Sequence, residues 1–209
     1  MIKAVLFDVD GVLSGHEPFS KRLARDHGIT REITTPFFRG PFRDCLVGKA
    51  DLKEQLSLYL PQWNWQKTVD DFLSYWFTSE HNPNQPLLQA AQQLRQRGIT
   101  CYLATNQERY RTEYILNQMN FASQFDGAFS SAHIGYMKPQ VEFFHHILYK
   151  LEHLEAGEIL FWDDTLENII IAREVGLHAE HYSHFEDFMK KIGTYLPLPL
   201  LEEEGRHRS

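Results

Sequence analysis

Short apolar runs and stretches of helical periodicity alternate along most of this chain, and that alternation restricts the fold more than any other feature. The runs are 2–7, 99–104, 128–130, 159–162 and a more polar one at 177–182. Each is short, and each reads as a strand buried in a parallel sheet. Between them, Leu87, Leu88, Ala91 and Leu94 recur at helical spacing up to Gly98. Phe144, Ile147, Leu148 and Leu151 do the same within 141–151. Segments 110–119 and 166–175 carry similar patterns, the second ending at Gly176. Gly98 and Gly176 stand where a helix C-cap is expected. Alternating strands and helices build βαβ units with right-handed crossovers. The predicted class is α/β: a Rossmann-like parallel sheet with flanking helices.

One stretch interrupts the pattern. Residues 15–84 hold no convincing strand and read as helices near 19–27, 36–46, 51–60 and 66–80. Asp51 and Glu54 form a capping-box pattern at the third. The stretch is rich in rings, among them Phe37, Phe38, Phe42, Trp63, Trp65, Phe72 and Trp76. A small helical bundle fills its core with such rings; the competing reading is that Trp63 or Trp65 stacks on a ligand. The turn-rich HNPNQP segment, 81–86, leads back to the sheet. The expected organisation is an α/β core of 1–14 and 85–196, an all-helical insert of 15–84 after the first strand, and a disordered tail of 197–209.

Composition narrows the function. Hydrophobic residues make up 43% of the 209 positions, which suits a globular core. The net charge is −7 and the pI about 5.9, against the clustered positive charge that nucleic-acid binding needs. No apolar run approaches a membrane span. No secretion signal is visible, and Cys45 and Cys101 lie far apart, so a reduced cytoplasmic setting is expected. The eleven histidines include no set spaced for zinc on a helix face.

The polar residues that follow the strands carry the chemistry. Asp8 and Asp10 follow the first, Thr105 and Asn106 the second, Lys138 the third after a few residues, and Asp163 and Asp164 the fourth. In an open parallel sheet these positions share the edge outside the carboxyl ends of the strands, where ligands bind. Two like charges about 4 Å apart repel by roughly 4 kcal/mol at an effective dielectric near 20. Several carboxylates in one pocket therefore call for a cation. Oxygen ligands with room for water favour Mg²⁺. Such an ion would draw in a phosphate. Lys138 supplies a second positive charge, and the Thr105 hydroxyl with nearby N–H groups supplies donors for phosphoryl oxygens. A carboxylate held beside that phosphate can attack it.

The stretches DVDGV, LATN, GYMKP and FWDDTLEN, in this order, resemble the four motifs of the haloacid dehalogenase superfamily of phosphohydrolases over residues 2 to about 182. The helical insert stands where that family places its first type of cap. The resemblance implies that Asp8 is the nucleophile and a Mg²⁺ ligand. It implies that Asp10 is the general acid and base, with its backbone carbonyl on the metal. It places Thr105 and the Asn106 backbone on the phosphoryl group, Lys138 on the nucleophile and phosphate charge, and Asp164 or Asp163 on the metal. Asn168 would support the last loop. His16 and Lys49 are candidates for substrate contact, as are Arg39 and Arg43; each is otherwise a solvated side chain. The layout is similar to sugar-phosphate phosphatases of the α-D-glucose-1-phosphate type. The expected function is thus Mg²⁺-dependent hydrolysis of a small phosphorylated metabolite, a sugar phosphate, through an aspartyl-phosphate. A dehalogenase or sugar phosphomutase of the same superfamily, or a non-catalytic regulatory protein on this fold, is the alternative.

Overall fold

A computed structural model describes residues 1–15 and 17–196. The first strand, β1 (Ala4–Phe7), is wholly buried and lies at the centre of the sheet. Thr100–Thr105 is β2, Gly127–Ser130 is β3, Ile159–Asp163 is β4 and His178–His181 is β5. All neighbours pair in parallel in the order β3-β2-β1-β4-β5. The register sets Val5 between Cys101 and Leu160, and Phe7 between Leu103 and Trp162. The parallel, doubly covered sheet expected from the alternation is present, with strands at all five predicted positions.

Side chains along β1 alternate between two cores, the consequence of a strand's two-residue period. Val5 and Phe7 join a cluster with Leu103, Leu160 and Trp162; Ala4 and Leu6 join another with Ala104, Ile159 and Phe161. After five helices described below, α6 (Gln85–Gln96) covers the first face with Leu87, Leu88, Ala91 and Leu94. It is joined by α7 (Arg109–Asn117) and the one-turn α8 (Phe121–Gln124). A second one-turn helix, α9 (Ser131–Ile134), follows β3. The opposite face is covered by α10 (Val141–Lys150) through Phe143, Phe144 and Ile147, and by α11 (Leu166–Glu174) through Ile169 and Ala172. The last helix, α12 (Phe185–Tyr195), returns to the first face with Phe188 and Ile192. The sequence reading contains no counterpart of α12, although its apolar residues are helically spaced.

Between β1 and α6 run α1 (Phe19–His27), α2 (Arg31–Arg39), α3 (Pro41–Leu46), α4 (Leu52–Tyr59) and α5 (Val69–Ser79). They share an apolar cluster that includes Phe19, Leu23, Phe37, Leu56, Phe72 and Trp76. The helix predicted over 36–46 is two helices, and the first begins at Arg31 with Pro36 inside it. The break falls at Gly40. Its N–H turns back to the Phe37 carbonyl, and Pro41 has no N–H to continue the ladder. A Cβ at Gly40 would press on the Pro36 carbonyl. The helix predicted from 66 starts at Val69, because Thr68 and Asp71 form a reciprocal capping box. Asp51 caps α4, its side chain accepting from the N–H groups of Lys53 and Glu54. Trp63 and Trp65 are buried among the rings of Phe37 and Phe72, so they are core residues.

Candidate active site

Asp8 directly continues β1. Its N–H bonds to the Trp162 carbonyl, which carries the strand pairing one residue past Phe7. Asp8 Oδ1 accepts from the Val9 N–H at 2.7 Å and lies 2.9 Å from Lys138 Nζ. Both interactions fall on Oδ1. Lys138 is buried, and its Nζ also donates to Asp163 Oδ2 at 2.6 Å. One cation thus stands between two acids delivered by neighbouring strands.

Burial pushes Asp8 up to about 7, with the Lys138 ammonium pulling the other way and Asp163 and Asp10 adding to the rise. Burial alone would lower Lys138, but Asp8 and Asp163 hold it above its ordinary value. The lysine therefore keeps its charge, while Asp8 needs further positive charge to be fully ionised at neutral pH. Asp164 is also raised, by burial and then by the Asp163 charge.

The two acids after β4 divide their work. Asp163 is wholly buried and accepts from Lys138 Nζ, the Thr165 N–H at 2.8 Å and Asn168 Nδ2 at 2.9 Å. Those bonds commit it to holding the lysine and its own loop, and Asn168 supports the loop through this contact. Asp164 has a weaker local bond, from Thr165 Oγ1 at 3.3 Å, and is more exposed. Of the pair, Asp164 is the freer to bind a ligand. Oxygens of Asp8, Asp163 and Asp164 lie within 4.8 Å of one another. Gly11 makes room for this cluster. Its φ is +83°, and a Cβ there would collide with the Asp164 carboxylate.

Asp10 lies in the turn that follows β1, where its backbone bridges to Ser14. Its carboxylate accepts from Gln107 Nε2 and lies 3.9 Å from Arg111 Nη2. It stands outside the cluster of three acids. Thr105 ends β2, buried beside Ser130 in the sheet register. The Asn106 side chain pins the Lys138 backbone twice, accepting from its N–H at 2.8 Å and donating to its carbonyl at 2.9 Å. Lys49 is exposed. With Arg43 it lines a cleft of about 320 Å³ shared with Tyr136, Lys138 and Gln140. Gly48, at φ +69°, lets this turn come close to the Ala132 carbonyl. Arg39 lines a different cavity, in the helical insert. His16 lies outside the described residues, as does the tail expected at 197–209.

Gln107 and Arg111 escaped the sequence reading. Gln107 sits two residues after Thr105 on the same sheet edge, which was the available signal. Arg111 is buried on the inner face of α7, where an arginine needs a partner. It finds the carbonyl of Phe77 at 3.1 Å and the carboxylate of Glu80 at 3.6 Å, besides Asp10. Only packing shows that these groups meet.

A parallel sheet with a buried lysine and three acids gathered at the carboxyl ends of its strands has the layout of an α/β enzyme site. The chain belongs to the haloacid dehalogenase-like hydrolases, whose family model matches residues 2–176. It is 34% identical to a sesquiterpene phosphatase of Aspergillus oryzae over 86% of this chain and 89% of that protein. It is 25% identical to bifunctional epoxide hydrolase 2 of Rattus norvegicus over 94% of this chain, but that covers only 40% of the rat protein. Its fold matches a predicted HAD-like family hydrolase from Porphyromonas gingivalis with a TM-score of 0.79 at 21% identity, over 95% of this chain and all of that one (100%). It also matches a HAD family enzyme from Bacteroides thetaiotaomicron, solved with magnesium and inorganic phosphate, with a TM-score of 0.75 at 19% identity over 88% and 95% of the two chains.

Three clustered carboxylates could hold a metal ion. The donor set fits a hard divalent cation: all its ligands are oxygens, and one lysine leaves the cluster short of positive charge. No helix among the described residues is long and apolar enough to cross a membrane.

Proposed function

We propose that the protein is a Mg²⁺-dependent phosphomonoester hydrolase acting through an aspartyl-phosphate. The observation that carries this reading is Asp8: one oxygen held by Lys138 and a backbone N–H, the other free, in a cluster with Asp163 and Asp164. Asp8 and Asp164, with the Asp10 carbonyl, would hold the metal, which when bound would supply positive charge for the phosphoryl oxygens. Lys138 adds to that charge, and Thr105 with the Asn106 N–H donates hydrogen bonds to the same oxygens. Asp8 Oδ2 forms the new bond to phosphorus. The bond from phosphorus to the ester oxygen breaks, and that oxygen takes a proton from Asp10. Asp10 then accepts a proton from water, whose oxygen attacks phosphorus and releases phosphate and free Asp8. Such acid–base assistance contributes about 10²–10⁴-fold. Gln107 and Arg111 orient Asp10 for both transfers.

In this reading the insert 15–84 caps the core, and Lys49 and Arg43 face the substrate across the cleft beside Lys138. The Aspergillus phosphatase supports phosphate chemistry, and the structure solved with magnesium and phosphate supports the metal. A sugar phosphate has the support of the looser motif likeness alone. Two buried free thiols, Cys45 and Cys101, accord with a reducing cytoplasm.

A panel of phosphorylated metabolites assayed with Mg²⁺ tests the proposal. Asp8→Asn is expected to abolish phosphate release, and EDTA to remove activity that added Mg²⁺ restores. Activity retained by Asp8→Asn overturns the assignment of the nucleophile.

A further inference from the structure

Helices α1, α2, α3 and α5 line an open cavity of about 470 Å³, within the range of small-molecule sites. Its wall is built around Trp76. The ring of Phe19 stacks on Trp76 at 5.1 Å between centroids, and Phe38 and Phe42 approach it at 5.4 and 5.6 Å. All four rings line the space. Its threonines offer little to a polar ligand. Thr34 Oγ1 is engaged with the carbonyls of Thr30 and Arg31, and Thr35 Oγ1 with that of Arg31 at 2.7 Å. Arg31 and Arg39 are exposed, so their charged heads stay in water while their stems extend the wall. Besides Glu80 and the two arginines, the lining offers the Ser20 hydroxyl and the unpartnered Trp76 Nε1–H, fewer groups than the several hydroxyls of a sugar need on burial.

The floor of the cavity adjoins the candidate active site. It includes Pro18 and Glu80, one on each of the two chain segments that join the helices to the sheet. Those segments are tied together by Ser14 Oγ, which donates to the Glu80 carbonyl at 2.8 Å. Arg111 Nη2 lies 3.6 Å from the Glu80 carboxylate and 3.9 Å from that of Asp10. The acid assigned to protonate the ester oxygen is thus one guanidinium away from the cavity.

We propose that this cavity seats the leaving group, and that the leaving group is a hydrocarbon alcohol rather than a polyol. The assignment rests on the phosphomonoester reading for its chemistry and on the cavity for its specificity, so the two are tested separately. Rates with Mg²⁺ are compared for butyl, octyl and dodecyl phosphate and a hexose phosphate. Binding of octanol is followed in parallel by tryptophan fluorescence, which needs no turnover.

The expected result is a kcat/KM that rises about fourfold per added methylene until the cavity is filled, with saturable quenching by octanol. Ser20→Trp, which places a large ring among the lining residues, is expected to flatten the chain-length dependence and weaken octanol binding; circular dichroism checks that it folds. Saturable octanol binding without hydrolysis of any ester supports the cavity and removes the phosphatase reading. Hydrolysis that ignores chain length, or favours the hexose phosphate, with no saturable octanol binding, overturns the cavity assignment and leaves the phosphatase reading intact.

Discussion

Lys138 shows how much depends on single residues. Its buried ammonium satisfies two acids, and removing one partner of such a group strands the rest. Lys138→Met is expected to destabilise the fold by about 3–5 kcal/mol, read from urea denaturation. Adding Asp163→Asn should recover part of that loss. Glu108 offers a test by pH. It caps α7, accepting from the N–H groups of Tyr110 and Arg111, and burial lifts it from an ordinary value of 4.5 to about 7. The folded chain therefore holds the Glu108 proton more tightly than the unfolded chain does. Its favourable contribution is complete below pH 4.5 and is lost as the pH rises through about 7. The loss is on the order of 3 kcal/mol. Stability curves for the protein and for Glu108→Gln should diverge over that window, with the variant less sensitive to pH. The residue types at the site were readable from the chain, but the separate roles of Asp163 and Asp164 were not. Both follow one strand, and only the contacts of Asp163 with Lys138, Thr165 and Asn168 distinguish them.

At the scale of elements, local signals succeeded where they were continuous. The strands follow their apolar runs because the sheet is covered on both faces, and α6, α7, α10 and α11 follow their apolar periods because each packs one side against it. The helix expected over 36–46 failed because a glycine–proline step outweighed its apolar pattern. The start of α5 is set by its cap: Thr68→Ala removes the hydroxyl that accepts from the Asp71 N–H and should cost about 1 kcal/mol, seen as a lower Tm. The turn after β1 is more demanding. Gly11 combines a positive φ with close approach of Asp164. Gly11→Ala should displace that carboxylate and raise the Mg²⁺ concentration for half-maximal rate by about 10–100-fold, measured by titrating Mg²⁺ in the phosphatase assay.

Across the whole molecule, the helices between β1 and α6 meet α7 at two places: Arg111 binds the Phe77 carbonyl and the Glu80 carboxylate near one end, and a second set of polar contacts lies near the turn at Lys49. Tyr110 Oη donates to Asp51 Oδ2 at 2.6 Å, and Arg109 Nη2 to the Gly48 carbonyl at 3.3 Å. Both link α7 to the turn that carries Lys49. Loops that cover a site must separate from it for exchange of ligands, and a seam of this kind sets how readily they do so. Tyr110→Phe is expected to speed hydrogen exchange in residues 47–59 and leave β1 and β4 unchanged. Equal protection in both forms would show that the seam is held by packing instead.

The order of strands and helices, the long strand-free insertion and the delivery of acids, a hydroxyl and a lysine to one sheet edge were all determined by the sequence, because each follows from short-range periodicity and the handedness of βαβ units. Tertiary packing decided the rest. It set Gln107 and Arg111 against Asp10, fixed Asp163 to Lys138 while leaving Asp164 more exposed, and gathered four rings around one cavity of the insert. Those outcomes depend on which side chains meet across large separations in the chain, and a local pattern carries no record of such meetings.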